Sequence, residues 1–244
     1  GVQTCALPIL ASADAIAEEL QAAFAPPETW SERSAAIRNL SKLRLAPIRE
    51  ELAKMLRIYQ QVGVAWLWHI HGHSLGGLLA DEMGLGKTVV TVALSLARPV
   101  RHTLVVVPGS LVDQWREHFM RFAGVVPAVA RCPAARNFAF ADDDGRPRVL
   151  ITTYSAFSKR DRGAALYGVH FDRAIFDEAH LLKNRRSQVH ANVLDLDLGA
   201  VWLLTGTPVC RAASDFKGLL RVLRASPVRS RCELRAAAER FVLR

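Results

Sequence analysis

Short apolar runs alternate with amphipathic stretches through most of this sequence of 244 residues. The apolar runs predict six β-strands, at residues 78–80, 103–107, 125–130, 149–152, 174–176 and 201–204. The stretches between several of these runs predict helices, at residues 89–97, 111–122 and 215–223. Alternation of strands and helices favours a three-layer α/β fold, in which helices cover both faces of a mostly parallel sheet.

The first part of the chain lacks the predicted strands. Residues 11–24, 32–45 and 47–56 are predicted to be helices, and a further helix begins near Leu56. Residues 1–9 resemble the translation of a common sequencing adapter, so we exclude them from the fold as foreign and expect the natural start of the protein to be missing. We therefore expect an accessory helical region at residues 10–55 and one α/β lobe at residues 56–244.

The stretch LLADEMGLGKT, residues 78–88, predicts a phosphate-binding loop between a strand and a helix. Backbone N–H groups of such a loop and the dipole of the following helix favour an anion at one point. Glycines allow the backbone to approach phosphate oxygens, the lysine can neutralise the β- and γ-phosphates, and the threonine hydroxyl can bind Mg²⁺. The strict loop pattern has glycine at its first position, where this chain has Asp81. The predicted nucleotide contacts in this loop are Asp81, Gly84, Leu85, Gly86, Lys87 and Thr88.

A second polar group follows the apolar strand at residues 174–176. Asp177, Glu178 and His180 come directly after it, at the end of a parallel sheet where ligands bind. Two adjacent carboxylates after a buried strand are costly unless a cation compensates their charge. We predict that Asp177 holds Mg²⁺ and that Glu178 polarises the attacking water, with His180 also near the nucleotide. Lys87, Asp177 and Glu178 are thus the candidate catalytic residues.

The charge of the chain adds a possible partner. A formal net charge of +9 and an isoelectric point near 9.9 indicate a polyanionic partner, nucleic acid before membrane, although general arginine richness also explains them. No apolar run approaches the roughly 20 residues needed to span a bilayer, so we expect no membrane association. The cysteine spacing supports neither a zinc site nor a disulfide framework.

Several motifs in order resemble those of the Snf-type ATPases, which are double-stranded-DNA translocases of the DEAD/DEAH-box helicase superfamily. From about residue 56 onward the motifs are LRIYQQVGVAWL, LLADEMGLGKT, LVVVPGSLVDQW, ITTYSAF, FDRAIFDEAHLLKN and WLLTGTP. The first resembles the family's adenine-sensing motif, with Ile58 in place of a usual proline. Its Gln60 amide has the donor and acceptor needed to read an adenine edge. By the same resemblance, residues near DNA would be Ser110, Gln114, Thr152, Thr153, Tyr154, Lys183, Thr205 and Thr207, with the segment around Trp115 also towards DNA.

The resemblance implies the first RecA-like lobe of a P-loop NTPase that uses ATP and Mg²⁺ and grips the phosphates of duplex DNA. It also implies a second lobe that supplies arginine fingers, and nothing in this sequence corresponds to that lobe. Hydrolysis by this chain alone should therefore be feeble, because an arginine finger contributes about 10³–10⁵ in rate. Family members continue WLLTGTP with Ile-Gln-Asn, where this chain has Val209-Cys210-Arg211. This chain therefore lacks the family's pair of side-chain amides at this position, and the difference affects the expected coupling between the lobes.

Two other functions stay open at this point. One is a non-catalytic nucleic-acid-binding module that retains a vestigial nucleotide pocket. The other is a strand-separating helicase of the DEAH type acting on RNA or DNA. For the leading hypothesis we expect chromatin or repair proteins as further partners. We also expect an intracellular location, nuclear in a eukaryote and in the cytoplasm or nucleoid otherwise.

Overall fold

A computed structural model of the chain describes residues 50–72, 76–82, 84–131, 147–159, 165–207 and 213–225, together with 230, 232–234, 237–238 and 242–243. The predicted adapter segment, the predicted helices at 11–24 and 32–45, and residues 209–211 lie outside this described part.

The strands form one sheet of seven, and every strand pairing among the described residues is parallel. They are β1 (Gly77–Leu79), β2 (His102–Val107), β3 (Ala128–Ala130), β4 (Arg148–Thr153), β5 (Phe171–Asp177), β6 (Leu198–Leu204) and β7 (Val242–Leu243). Their order across the sheet is β3-β4-β2-β5-β6-β1-β7. The predicted parallel α/β fold is confirmed.

The α-helices are α1 (Glu50–Met55), α2 (Ile58–Gly72), α3 (Lys87–Ala97), α4 (Val112–His118), α5 (Gln188–Leu194) and α6 (Ala213–Val222). A short 3₁₀ turn, Gly109–Leu111, precedes α4, and a π-helical turn, Phe119–Ala123, continues it. The single helix predicted at residues 111–122 is therefore three consecutive pieces. Among the described residues, no helix is long and apolar enough to cross a membrane.

Successive side chains of the central strands enter two separate cores, because side chains of a strand point alternately to opposite faces. In β2, Leu104 and Val106 belong to one buried cluster, whereas Val105 and Val107 belong to the other. Residues of α2, α3 and α4 line the second cluster, and residues of α5 and α6 line the first. The sheet is thus covered on both faces, as the three-layer prediction requires.

The edge strand β3 is shorter than the predicted strand at residues 125–130. The preceding π-helical turn ends at Ala123, Gly124 follows it with φ 63°, and the N–H of Val125 still donates to the Phe119 carbonyl. Pro127 then lacks the N–H that a strand ladder needs. Regular pairing begins only at Ala128.

Arg173 of β5 is a fully buried arginine that ties the sheet to the end of α3. Its guanidinium donates a hydrogen bond to the carbonyl of Arg98, the residue after that helix. Burial lowers the pKa of Arg173 to about 10, with a further lowering from Arg98 and an opposing effect from Asp172. The group remains a cation at neutral pH, so it complements the negative end of the helix dipole.

Candidate functional site

The phosphate loop and the acidic segment that begins at Asp177 lie at the same side of the sheet, the side formed by the carboxyl ends of its strands. Leu79, which precedes the phosphate loop, and Asp177 both lie in register with Leu204 of β6. They are therefore at the same level and two strand spacings apart, about 10 Å. Because all three strands run parallel, the loop and the acidic pair both lie beyond the carboxyl ends of the strands.

The phosphate loop has the backbone conformation that its glycines predict. Gly84 has φ 84° and Gly86 has φ 82°, both in the left-handed region, and α3 begins immediately afterwards at Lys87. A Cβ on Gly86 would lie 2.4 Å from the Gln60 side-chain nitrogen, whereas one on Gly84 would meet nothing within 4 Å. The torsion angle of Gly86 is thus what favours glycine, and a side chain there would in addition displace the Gln60 amide.

Lys87 is the buried cation of the loop. Its ammonium donates to the carbonyl of Asp81 at 2.8 Å and to that of Glu82 at 2.9 Å. Burial lowers the pKa of Lys87, while the negative charges of Asp81, Asp177 and Glu178 raise it. The ammonium is therefore within electrostatic reach of the acidic pair, and its two hydrogen bonds tie the first residues of the loop to the start of α3.

Gln60 links the start of α2 to the phosphate loop. Its side-chain oxygen accepts the backbone N–H of Arg57 at 2.9 Å, as a residue at the third helical position does in a capping box. Its amide nitrogen donates to the Leu85 carbonyl at 3.1 Å. An amide has two N–H donors and two acceptor lone pairs, so one of each remains for another partner. The adenine contact of Gln60 stays a prediction.

Asp177 ends β5 as a buried carboxylate with defined donors. Its Oδ2 accepts the indole N–H of Trp115 at 2.8 Å, and its Oδ1 accepts the backbone N–H of Glu178 at 2.9 Å. Burial raises the pKa of Asp177; the hydrogen bonds from Trp115 and Glu178 lower it, as does the charge of Lys87. The carboxylate is thus fixed in orientation at the edge where the loop lies.

Glu178 occupies a strained position beside that carboxylate. It has φ 50°, which is uncommon for a residue other than glycine and marks functional sites in proteins. Its Oε2 lies 3.1 Å from Nδ1 of His180, and the Thr205 hydroxyl of the next strand end lies 3.4 Å from the same nitrogen. Glu178, His180 and Thr205 therefore form a small polar chain that joins β5 to the end of β6.

The donor set fits a nucleotide-bound magnesium ion better than a metal held by protein alone. Mg²⁺ typically takes one or two carboxylates, with substrate phosphates and water completing its octahedron. Asp177 and Thr88 are the candidate ligands, and each oxygen of Asp177 keeps a lone pair beyond its present hydrogen bond. Within the described ranges, no group of three His, Cys, Asp or Glu could hold a metal ion.

The residues predicted to face DNA divide into exposed and buried sets. Ser110 and Gln114 are exposed, and Lys183 is half-buried with its ammonium 3.9 Å from Asp215. Thr207 is also exposed, and its backbone N–H donates to the Thr205 hydroxyl.

Three of the residues predicted to lie near DNA have buried side chains, so their nearness to DNA stays a prediction that does not include direct side-chain contact. The Thr152 side chain is fully buried and donates to the Ala130 carbonyl, so it cannot reach an external partner. Thr205 is likewise fully buried, and Tyr154 points into the protein. Thr153 is nearly buried, with its hydroxyl 2.7 Å from that of Ser155.

Two aromatic residues at the site were assigned to the DNA side by the sequence. Trp115 is fully buried with its indole on Asp177, and the Tyr154 hydroxyl donates to the backbone carbonyl of Asp177 at 2.6 Å. The sequence offers one signal for these contacts with Asp177: the N–H of a buried tryptophan and the O–H of a buried tyrosine usually need a polar partner. The identity of that partner depends on the sheet order.

Comparison with known proteins adds a consistent set of relatives. Residues 59–240 match the profile of the SNF2-related domain family. The chain is 35% identical over 175 residues to the ATP-dependent helicase fft2 of Schizosaccharomyces pombe, covering 68% of this chain and 14% of that protein. It is 34% identical over 178 residues to the human SWI/SNF-related matrix-associated actin-dependent regulator of chromatin subfamily A containing DEAD/H box 1, covering 68% and 17%.

A solved structure gives the same result for the fold. The Sulfolobus solfataricus SWI2/SNF2 ATPase core in complex with dsDNA is 26% identical, with a TM-score of 0.64, and the match covers 78% of this chain and 44% of that one. The chain thus spans less than half of this structural relative, and less than a fifth of the two longer proteins.

Proposed function

Because the chain belongs to the SNF2-related domain family, we propose that it is the first RecA-like, ATP-binding lobe of an ATPase that moves along duplex DNA. The lobe would comprise residues 56–244, with residues 10–55 as an accessory helical region. The observation that carries the proposal is the placement of Lys87 and the Asp177–Glu178 pair at one edge of the sheet. A cation and two carboxylates at that edge suit the binding and hydrolysis of a magnesium-bound triphosphate.

Each residue at this edge then has a specific task. The Lys87 ammonium would exchange its two loop carbonyls for the β- and γ-phosphates, while the loop N–H groups and the start of α3 bind the same anion. Thr88 and Asp177 would hold Mg²⁺, which neutralises charge on the phosphates when bound. Glu178 would orient and polarise the attacking water, with His180 and Thr205 fixing its carboxylate.

The proposal of DNA as the partner rests on a basic groove as well as on the family. This groove has a volume of about 540 Å³, and it is lined by Lys183, Asn184, Arg185, Arg186, Ser214, Asp215 and Arg221. Among the described residues, no carboxylate forms an ion pair with the guanidinium groups of the three arginines. Burial is the main cause that lowers the pKa of the nearby His190, and the positive charges of Arg221 and Arg185 lower it further. Lys183 has Asp215 as a counter-charge, but three arginines also line the same groove, and such an excess of cations favours an external polyanion such as the phosphate backbone of DNA.

Removing charge from the basic groove should weaken DNA binding and its dependence on salt. We expect that the binding constant of the Arg185→Ala, Arg186→Ala double variant of the full-length protein depends less steeply on salt. The magnitude of the slope of log K for DNA binding against log salt concentration should fall by about one per lost phosphate contact. The matched control is Arg101→Ala, at the amino end of β2 and so at the opposite edge of the sheet. Fluorescence anisotropy with labelled duplex DNA at several salt concentrations measures the slope. An unchanged slope in the double variant would remove the groove from the DNA-binding surface.

The nature of the nucleic acid decides between the proposed function and its alternatives. We expect duplex DNA to stimulate ATP hydrolysis by the full-length protein more than single-stranded DNA or RNA does. Stimulation by RNA or single strands instead would favour a strand-separating DEAH helicase. Absence of ATP binding and hydrolysis would favour a non-catalytic nucleic-acid-binding module. A steady-state ATPase assay with matched lengths of the three nucleic acids distinguishes these outcomes.

The remaining parts of the proposal concern the whole protein. A second RecA-like lobe elsewhere in it would supply the arginine fingers, and hydrolysis by this lobe alone would then be weak. Chromatin or repair proteins are the proposed further partners, in an intracellular compartment that contains DNA. The human relative is named as a regulator of chromatin, and the Schizosaccharomyces pombe protein rad8, 30% identical over 183 residues, is named as a DNA repair protein.

A further inference from the structure

Two aromatic side chains from different segments hold the residue proposed to bind magnesium. The Trp115 indole N–H donates to the Asp177 carboxylate at 2.8 Å, and the Tyr154 hydroxyl donates to its backbone carbonyl at 2.6 Å. Trp115 is fully buried, and Tyr154 and Asp177 are less than 10% exposed. Such bonds between buried groups fix both the side chain and the backbone of Asp177.

The sheet order explains why these three residues meet. Strands β4, β2 and β5 are neighbours, and Tyr154, Trp115 and Asp177 come from the segments at their carboxyl ends. Tyr154 begins the 3₁₀ turn after β4, and Trp115 lies on α4, which follows β2. The segments at the ends of three adjacent strands thus converge on one residue, Asp177, with Trp115 on its carboxylate and Tyr154 on its backbone carbonyl.

Both aromatic residues belong to segments that the family resemblance predicts to lie near DNA. Gln114, the residue before Trp115, is exposed, as is Ser110 at the start of the same segment. A shift of α4 at Gln114 would therefore move the indole that holds Asp177, because neighbouring residues of one helix move together. Tyr154 likewise directly follows Thr153, the last residue of β4.

We propose that Trp115 and Tyr154 are positioning residues that transmit DNA contact to the magnesium-binding carboxylate of Asp177. The proposal rests on the proposed function above, since it needs both a magnesium-bound nucleotide and DNA. Groups that orient a metal ligand typically contribute 10–100-fold to metal affinity. DNA contact that holds α4 in the position of the Trp115–Asp177 hydrogen bond would keep the carboxylate oriented for magnesium, and DNA contact would in this way promote hydrolysis.

Trp115→Phe in the full-length protein tests the proposal, because it keeps an aromatic ring in the core and removes the N–H donor together with part of the ring volume. Binding of a fluorescent ATP analogue is titrated with Mg²⁺, with and without duplex DNA. We expect the variant to need about tenfold more Mg²⁺ for half-maximal binding, and we expect DNA to lose its effect on this requirement. Binding of the analogue without Mg²⁺ should not change.

The matched control is Trp202→Phe, which makes the same substitution at another fully buried tryptophan in the same core. It should leave the Mg²⁺ requirement and its response to DNA at the wild-type values. An equal shift in both variants would indicate general loosening of the core and would overturn a positioning role for Trp115.

Tyr154→Phe provides a second test that removes one hydroxyl and no ring. We expect a several-fold rise in the Mg²⁺ requirement, and this variant decides the matter if Trp115→Phe does not fold. Mg²⁺ requirements within twofold of wild type in the folded variants would overturn the inference. A wild-type protein that binds no nucleotide at any Mg²⁺ concentration would contradict the proposed function itself, so the two failures are distinguishable.

Discussion

Replacing Lys87 with alanine in the full-length protein should abolish nucleotide binding and DNA-stimulated hydrolysis. The substitution removes the buried ammonium at the centre of the loop, the cation proposed to neutralise the β- and γ-phosphates. Hydrogen bonds to charged groups contribute about 1.5–3 kcal/mol each. Loss of two such bonds to phosphate lowers turnover by about a hundredfold or more. Binding of a fluorescent ATP analogue and steady-state phosphate release measure the effect.

The control for this substitution is Lys159→Ala, because Lys159 is exposed and follows the turn after β4. It should keep wild-type binding and hydrolysis. Thermal unfolding of both variants checks that the loop change leaves the fold intact, since the Lys87 ammonium also satisfies two loop carbonyls. DNA-stimulated hydrolysis at the wild-type rate in the Lys87 variant would contradict the assignment of the loop.

Glu178→Gln should separate nucleotide binding from hydrolysis. Glutamine keeps the size of the side chain but cannot take a proton from water, whereas a positioned general base contributes about 10²–10⁴ in rate. We expect ATP binding close to that of the wild type and hydrolysis lower by about two to four orders of magnitude. Single-turnover hydrolysis with bound ATP measures the chemical step directly.

An exposed glutamate provides the comparison for Glu178. Glu117→Gln on α4 makes the same chemical change away from the phosphate loop and should hydrolyse ATP at the wild-type rate. Hydrolysis by Glu178→Gln within a few-fold of wild type would transfer the role of base to another group. Loss of ATP binding in that variant would indicate that Glu178 acts on the nucleotide rather than on water.

The parts of the site that the sequence could predict are those encoded by neighbouring residues. Gly84, Gly86 and Lys87 stand within four positions of one another, so their chemistry requires only a strand, a turn and a helix in succession. The left-handed torsion angles of both glycines agree with that prediction. Asp177 likewise follows its own strand, and parallel strand ends meet at one edge of a sheet.

The parts that the sequence could not predict depend on which strands are neighbours. Trp115 and Asp177 are 62 residues apart in the chain, and their hydrogen bond exists only because β2 lies beside β5. Thr152 is buried because β3 pairs with β4 and presents the Ala130 carbonyl to its hydroxyl. Gln60 was assigned to adenine, but its position at the start of α2 and beside Gly86 also gives it a structural task.

Arg173 joins β5 to the carboxyl end of α3, and this link has a mechanical consequence for any motor built on this lobe. Helix α3 begins at Lys87, and β5 ends at Asp177, so one guanidinium holds together the two elements that carry the cation and the acid. Densely packed interiors transmit displacement instead of absorbing it. Closure of the proposed second lobe would therefore displace the phosphate loop and the acidic pair together, with the hinge in segments outside α3 and β5.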